Sequence, residues 1–256
     1  MGGVFIKILD FSKDWYFAYA ENEDWVNQYG GHANEPVDLP HDFKIGLKRC
    51  DDPFSGPSEG FYPGGIGYYK KVFNIAGDML SQRALVYFDG VYRMCEVRLN
   101  RDLIVTHKGG YTGFFADLTG RLREGENILQ VKVNASLPNA SRWYTGAGIY
   151  RKVTMLTGSI PSIEPWGIHV ETLTDTLGTA SADIKIKTKI YNPEKRACNI
   201  VHKIFDRDAA LIATKEDIGV KDKSAVTVKV PDPKPWSADF PRAGDFRYRI
   251  ISYRGL

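Results

Sequence analysis

Cysteine is scarce in this sequence: Cys50, Cys95 and Cys198 stand far apart, with no CxxC or CxxH spacing. That argues against a disulfide framework, a zinc site and a paired redox centre. Cys95 and Cys198 sit inside apolar, strand-like runs, where a small buried hydrophobe is the ordinary role. Long apolar runs are missing too, so no segment is expected to cross a bilayer as a helix. The start, MGGVFIKILDFSKDWYF, lacks the basic region, apolar core and small-residue cleavage site of a secretory leader. There is little surplus charge of either sign. The 34 basic and 31 acidic residues leave a net +3 scattered along the chain, so neither nucleic acid nor a membrane is expected as a partner. No amphipathic helix of three or more turns can be traced.

What is present points to strands. At 256 residues the chain is long enough for two ordinary domains, and 12% aromatics with 25 glycines favour strands joined by tight turns. Strand patterns run through DWYFAYAE (14–21), GYYKKVFNI (67–75), RALVYFDGV (83–91), EVRLNRDLIVTH (96–107), NILQVKVNA (127–135) and YRKVTMLTG (150–158). Asp-Gly, Asn-Arg, Gly-Gly and Glu-Gly pairs break them at the spacing of an antiparallel sandwich. Asn100-Arg101 predicts a two-residue hairpin turn, because Asn tolerates the left-handed backbone such a turn demands. Asp117 and Thr119 predict a short helical turn that packs Leu118 and Leu122.

After GSIPSIEP (158–165) aromatics thin out, and about five short strands follow: HVETL, SADIKIKTKIY, CNIVHKIFD, SAVTVKV and FRYRIISYR. The expected boundary divides the chain into 1–160 and 161–256. The second part reads as a small immunoglobulin-like sandwich, and because the chain stops at Leu256 directly after a strand, that domain is expected to be cut short.

Five motifs occur in a telling order between residues 39 and 153: LPHDF (39–43), GIGYYKKVF (65–73), FDGV (88–91), HKGGYTGFFADLT (107–119) and RWYTGAGIYRKV (142–153). Singly each is weak, but together the chain resembles the N-terminal region of glycoside hydrolase family 2. It is most similar to β-galactosidases with Ser-Arg-Trp-Tyr in the last motif, here Ser141 to Tyr144. The resemblance implies an all-β chain: a galactose-binding-like jelly-roll sandwich followed by an immunoglobulin-like β-sandwich. The likeness is looser beyond 157, where PKPWSADFP (233–241) carries Pro235 in place of a leucine. Arg98 and Arg101 replace a frequent tryptophan and glycine, which predicts a looser hairpin.

In that family a catalytic (β/α)8 barrel follows these two domains. Retaining glycoside hydrolysis needs two carboxylates about 5 to 5.5 Å apart, and a barrel takes about 250 residues; no catalytic residue is therefore expected in this chain. Asp51, Asp52, Glu21, Glu23 and Asp24 read as solvated turn residues. His41-Asp42 has no accompanying GxSxG nucleophile, so a structural acceptor role for Asp42 outweighs acid/base chemistry.

RWYTGAGIYR has no carboxylate, histidine or cysteine. Its glycines suit a sharp corner between strands, with Ile149 pointing to the core. The resemblance implies that Arg142 reaches the active-site mouth of the barrel and binds a sugar hydroxyl, with Asp42 a weaker candidate for the same rim. Trp143 offers a stacking face for the sugar or packs behind Arg142. The implied partners are a carbohydrate substrate, preferably a galactoside, and the barrel. A homo-oligomer is expected only by analogy with the family, and neither a metal nor another cofactor is expected. The compartment, cytoplasmic or bacterial periplasmic and secreted, is left open. The competing reading is a stand-alone carbohydrate-binding module with an immunoglobulin-like spacer; sugar binding by the isolated chain would favour it.

Overall fold

The computed structural model describes residues 6–21, 33–50, 56–136, 144–173, 180–206, 208–233, 238 and 245–252. They form strands, turns and single-turn 3₁₀ helices, with no α-helix among the described residues. Contacts divide the described residues into two compact units, one from Lys7 to Thr157 and one from Gly158 onward that also takes in Ile6.

The first unit is a sandwich of two sheets. One has the order β1 (Ile6–Asp10), β10 (Val153–Gly158), β5 (Arg83–Phe88), β8 (Phe114–Asp117). The other runs β3 (Glu35–Val37), β2 (Trp15–Ala20), β4 (Ile66–Ile75), β9 (Gly125–Asn134), β6 (Met94–Leu99), β7 (Asp102–His107). Its spine is the antiparallel pair β4 and β9, in register from Ile66 opposite Asn134 to Ile75 opposite Gly125. Alternation decides which residues face inward: in β6, Cys95, Val97 and Leu99 are buried and their neighbours are half-exposed. These join Trp15, Phe17, Tyr69, Leu129 and Val131 from the same sheet and Val86, Phe88, Phe114, Val153 and Met155 from the other in one continuous core. Burial holds the Cys95 thiol up at about 12, so it is a packing group and not a nucleophile at neutral pH.

The hairpin between β6 and β7 turns at Asn100 and Arg101, both at positive φ (50° and 80°). It is not loose. Asn100 accepts from Ile128 N at 2.9 Å and donates to Asn127 Oδ1 at 3.0 Å, and Arg98 Nη1 reaches Arg101 O at 3.3 Å. The segment after β8 is a turn without a helix: Asp117 accepts from Thr119 N, and Arg121 N donates to Leu118 O. Leu118 is fully buried and Leu122 packs against the core, as expected.

The second unit has two three-stranded sheets, β11 (Ser162–Thr172), β12 (Ser181–Tyr191), β15 (Lys223–Pro231) and β14 (Leu211–Val220), β13 (Cys198–Phe205), β16 (Asp245–Ser252), each in that order. β15 alternates strictly, with Ser224, Val226, Val228 and Val230 buried. The strand missing from the sequence reading is β14, LIATKEDIGV. It is an edge strand paired only with β13, so most of its side chains are exposed and its sequence carries no apolar alternation.

Candidate functional site

The site grows from the pairing of two segments that are a hundred residues apart in sequence. His41 N donates to Ile149 O at 2.8 Å and Phe43 N to Ala147 O at 2.9 Å, so LPHDF lies along GAGIY like a short strand. Phe43 and Ile149 are buried in the core cluster, which fixes the pairing from below. Asp42 then points away from the core and gathers the corner around its carboxylate. Oδ1 accepts from Lys44 N at 3.0 Å, capping the 3₁₀ turn Phe43–Gly46, and from Ala147 N at 2.9 Å. Oδ2 accepts from the Tyr144 hydroxyl at 2.9 Å. Burial, with the Asp42 charge beside it, raises the Tyr144 hydroxyl well above the usual phenol range, so it donates and stays neutral.

The two glycines of the motif now have reasons. A Cβ on Gly146 would run into the Asp42 carboxylate. Gly148 has φ +126°, and a Cβ there would meet the Tyr69 hydroxyl and the His41 carbonyl. Tyr69 is itself buried and hydrogen-bonds His41 Nδ1 at 2.9 Å. Burial lowers the His41 imidazole below its ordinary value, partly offset by Glu35 and Asp42, and favours its neutral form.

Beneath Tyr144 lies a buried charged pair. Lys44 Nζ and Glu59 Oε2 are 2.9 Å apart, with both side chains 4% exposed, and Thr145 Oγ1 donates to the same Glu59 oxygen at 3.0 Å. Above it, Tyr62 packs on Tyr144 at 5.2 Å between ring centroids, and the Arg49 guanidinium sits 5.2 Å over Tyr62. Half-exposed Phe61 precedes Tyr62 in the chain, so aromatic surface reaches solvent at this corner.

Of the residues singled out from sequence, Asp42 is at the centre of this corner, while Arg142 and Trp143 lie outside the described residues, as do Glu23, Asp24, Asp51 and Asp52. Ile149 is fully buried, and half-exposed Arg151 lies 3.9 Å from Asp89. Lys44, Glu59, Thr145 and Tyr62 were not anticipated. Their relation is purely tertiary, and SEGFY and FKIGL read locally as loop. Among the described residues no group of three His, Cys, Asp or Glu side chains could hold a metal ion. Asp42 and Glu59 are each committed to donors within the chain, which leaves neither as an unoccupied acid/base group.

Two family models match. Residues 54–159 fit "Glycosyl hydrolases family 2, sugar binding domain" and residues 162–249 fit "Glycosyl hydrolases family 2". Similar curated proteins include a putative beta-glucuronidase of Formosa agariphila, 29% identical over 94% of this chain and 23% of its own length. Another is the beta-galactosidase BoGH2A of Bacteroides ovatus, 31% identical over 91% of this chain and 28% of its own. Among solved structures, a beta-glycosidase from Bacteroides vulgatus superposes with TM-score 0.84 at 27% identity, over 97% of this chain and 32% of that one. A family 2 member from Bacteroides cellulosilyticus superposes with TM-score 0.82 at 28% identity, over 96% and 33%. The chain thus spans about a quarter to a third of these relatives. From motif order, fold and these matches together, the chain belongs to glycoside hydrolase family 2 and carries its N-terminal sugar-binding sandwich and immunoglobulin-like sandwich.

Proposed function

We propose that this chain is the non-catalytic N-terminal region of a retaining, β-galactosidase-like glycosidase, in which a barrel outside this sequence breaks the O-glycosidic bond. In this reading the two sandwiches, 1–160 and 161–256, form the scaffold, and the corner around Asp42 forms part of the substrate rim. The observation that carries it is the three-way hold of Asp42 on Lys44, Tyr144 and Ala147. It holds the backbone from Tyr144, the last residue of Ser-Arg-Trp-Tyr, to Ala147. Arg142 would be the polar finger on a sugar hydroxyl and Trp143 its apolar neighbour, while Asp42 would act on the rim through Tyr144. Relatives bear both β-galactosidase and β-glucuronidase names; the galactoside preference rests on the Ser-Arg-Trp-Tyr form alone.

The test is Arg142→Ala in the full-length enzyme, assayed on p-nitrophenyl β-galactoside and β-glucuronide. A hydrogen bond to a charged group contributes about 1.5 to 3 kcal/mol, so kcat/KM should fall at least tenfold at unchanged melting temperature. Wild-type kinetics in the variant would remove Arg142 from the site, and a higher kcat/KM on the glucuronide would reverse the sugar assignment.

A further inference from the structure

The buried pair Lys44–Glu59 is an expensive way to fill space. Taking an ammonium and a carboxylate out of water costs several kcal/mol per ion, and two apolar side chains of similar volume would avoid that cost. What an ion pair supplies in exchange is direction, because its hydrogen bonds fix where each partner sits. Here the directions converge. The Lys44 backbone N–H goes to Asp42 and its ammonium to Glu59, so one residue joins both carboxylates. Glu59 takes Lys44 and Thr145 on the same oxygen, Oε2, while Oε1 is buried without a donor. Glu59 O also accepts from Tyr62 N at 3.3 Å, at the start of the segment whose Tyr62 ring covers Tyr144. The residue at 144 is therefore held by its hydroxyl on Asp42, the one at 145 by its hydroxyl on Glu59, and the one at 147 by its backbone N–H on Asp42.

We propose that Glu59 is a positioning residue for sugar recognition, acting through Thr145 to set the segment that carries the rim, with Lys44 as its counter-charge. This rests on the proposed function, since without a sugar at the rim there is nothing to position. Glu59 is too buried to touch substrate and is not a catalytic residue. The pair does not belong to the apolar core either, so its removal should separate fold from function: stability is kept or raised while recognition is lost.

Steady-state kinetics of the full-length enzyme, with a thermal melt of each variant, decide the matter. Thr145→Val keeps the ion pair and the side-chain shape but deletes the hydroxyl link. Lys44→Met with Glu59→Met removes both charges together, avoiding the uncompensated Lys44 that Glu59→Gln alone would leave. Both variants should raise KM about five- to tenfold with kcat changed less than twofold, at an unchanged or higher melting temperature. In a background with Tyr62→Ala and Tyr144→Ala the same changes should have less than a twofold effect, because the aromatic rim being positioned is gone. An unaltered KM overturns the inference, and so does an equal loss in both backgrounds or a loss that only tracks the melting temperature. If Tyr62→Ala with Tyr144→Ala leaves kinetics at the wild-type level, the proposed rim falls and this inference with it; if that variant is impaired but Thr145→Val is not, only the role of Glu59 falls.

Discussion

Gly148 shows how a single residue can be fixed by groups far away in sequence. The Tyr69 hydroxyl and the His41 carbonyl occupy the space a Cβ would need, and φ +126° lies outside what L side chains adopt easily. Gly120 is a matched control, with φ +69° and nothing within 4 Å of an added Cβ. Gly148→Ala carries backbone strain plus overpacking and should cost about 2 to 5 kcal/mol; Gly120→Ala carries the left-handed backbone alone and should cost about 1 kcal/mol. Urea denaturation of both variants measures the difference, and equal costs would mean that the corner relaxes freely. The sequence shows that glycines at 146 and 148 make a corner, since two glycines beside aromatics have few other uses. It does not show what fills the corner. The carboxylate that excludes a Cβ at 146 comes from Asp42, and only the pairing of two distant segments brings it there.

Among the elements, legibility follows burial on one face. The strands β4, β6, β9 and β15 alternate or run apolar because one or both faces are covered, and each was read from sequence within a few residues of its ends. Strand β14 was missed because an edge strand with most side chains in water has no pattern to read. The short pairing of LPHDF with GAGIY was missed because it is made by backbone groups alone. Strand β13 adds a polar exception: His202 occupies an inward position between Ile200 and Ile204 and is fully buried. Its Nε2 lies 3.5 Å from Ser224 Oγ on β15 of the opposite sheet, and Ser224 donates to Asp217 Oδ2 on β14 at 2.6 Å. Burial lowers the His202 imidazole below 6.5, with Asp217 opposing the shift. Between the folded and unfolded values the unfolded chain binds more protons. The stability contributed by neutral His202 is therefore complete above about pH 6.5 and is lost as pH falls below that value toward the lower folded one. Denaturation midpoints of the second unit should drop from pH 7.5 to pH 5, and His202→Gln should flatten that drop. A profile that His202→Gln leaves unchanged would assign the dependence to other groups of that unit.

For the molecule as a whole, the order of five motifs carried more than any of them singly, because a short motif recurs by chance far more readily than five in one order. Motif order made the family and the all-β architecture legible; the interior of the corner, made of one ion pair, one carboxylate and the two hydroxyls that bind them, from three separate segments, had no local signature. The same corner bears on what this chain can do unaided. Retaining hydrolysis requires a nucleophilic carboxylate and a second, proton-carrying one about 5 to 5.5 Å away, both reachable by substrate. The two carboxylates at the site do not meet that demand. Glu59 is buried against Lys44 and Thr145, and Asp42 already accepts three hydrogen bonds from its own chain. The purified 256-residue chain should therefore leave p-nitrophenyl β-galactoside and β-glucuronide unhydrolysed above the buffer rate. Calorimetric titration with the parent sugars should show affinity no tighter than millimolar, because one rim without the rest of a pocket leaves most of a sugar in water. Hydrolysis that survives repurification would place a working carboxylate pair inside these two sandwiches and remove the need for a barrel. Micromolar binding without hydrolysis would instead favour a stand-alone carbohydrate-binding module, and Tyr62, Tyr144 and Asp42 would then be the residues to change first.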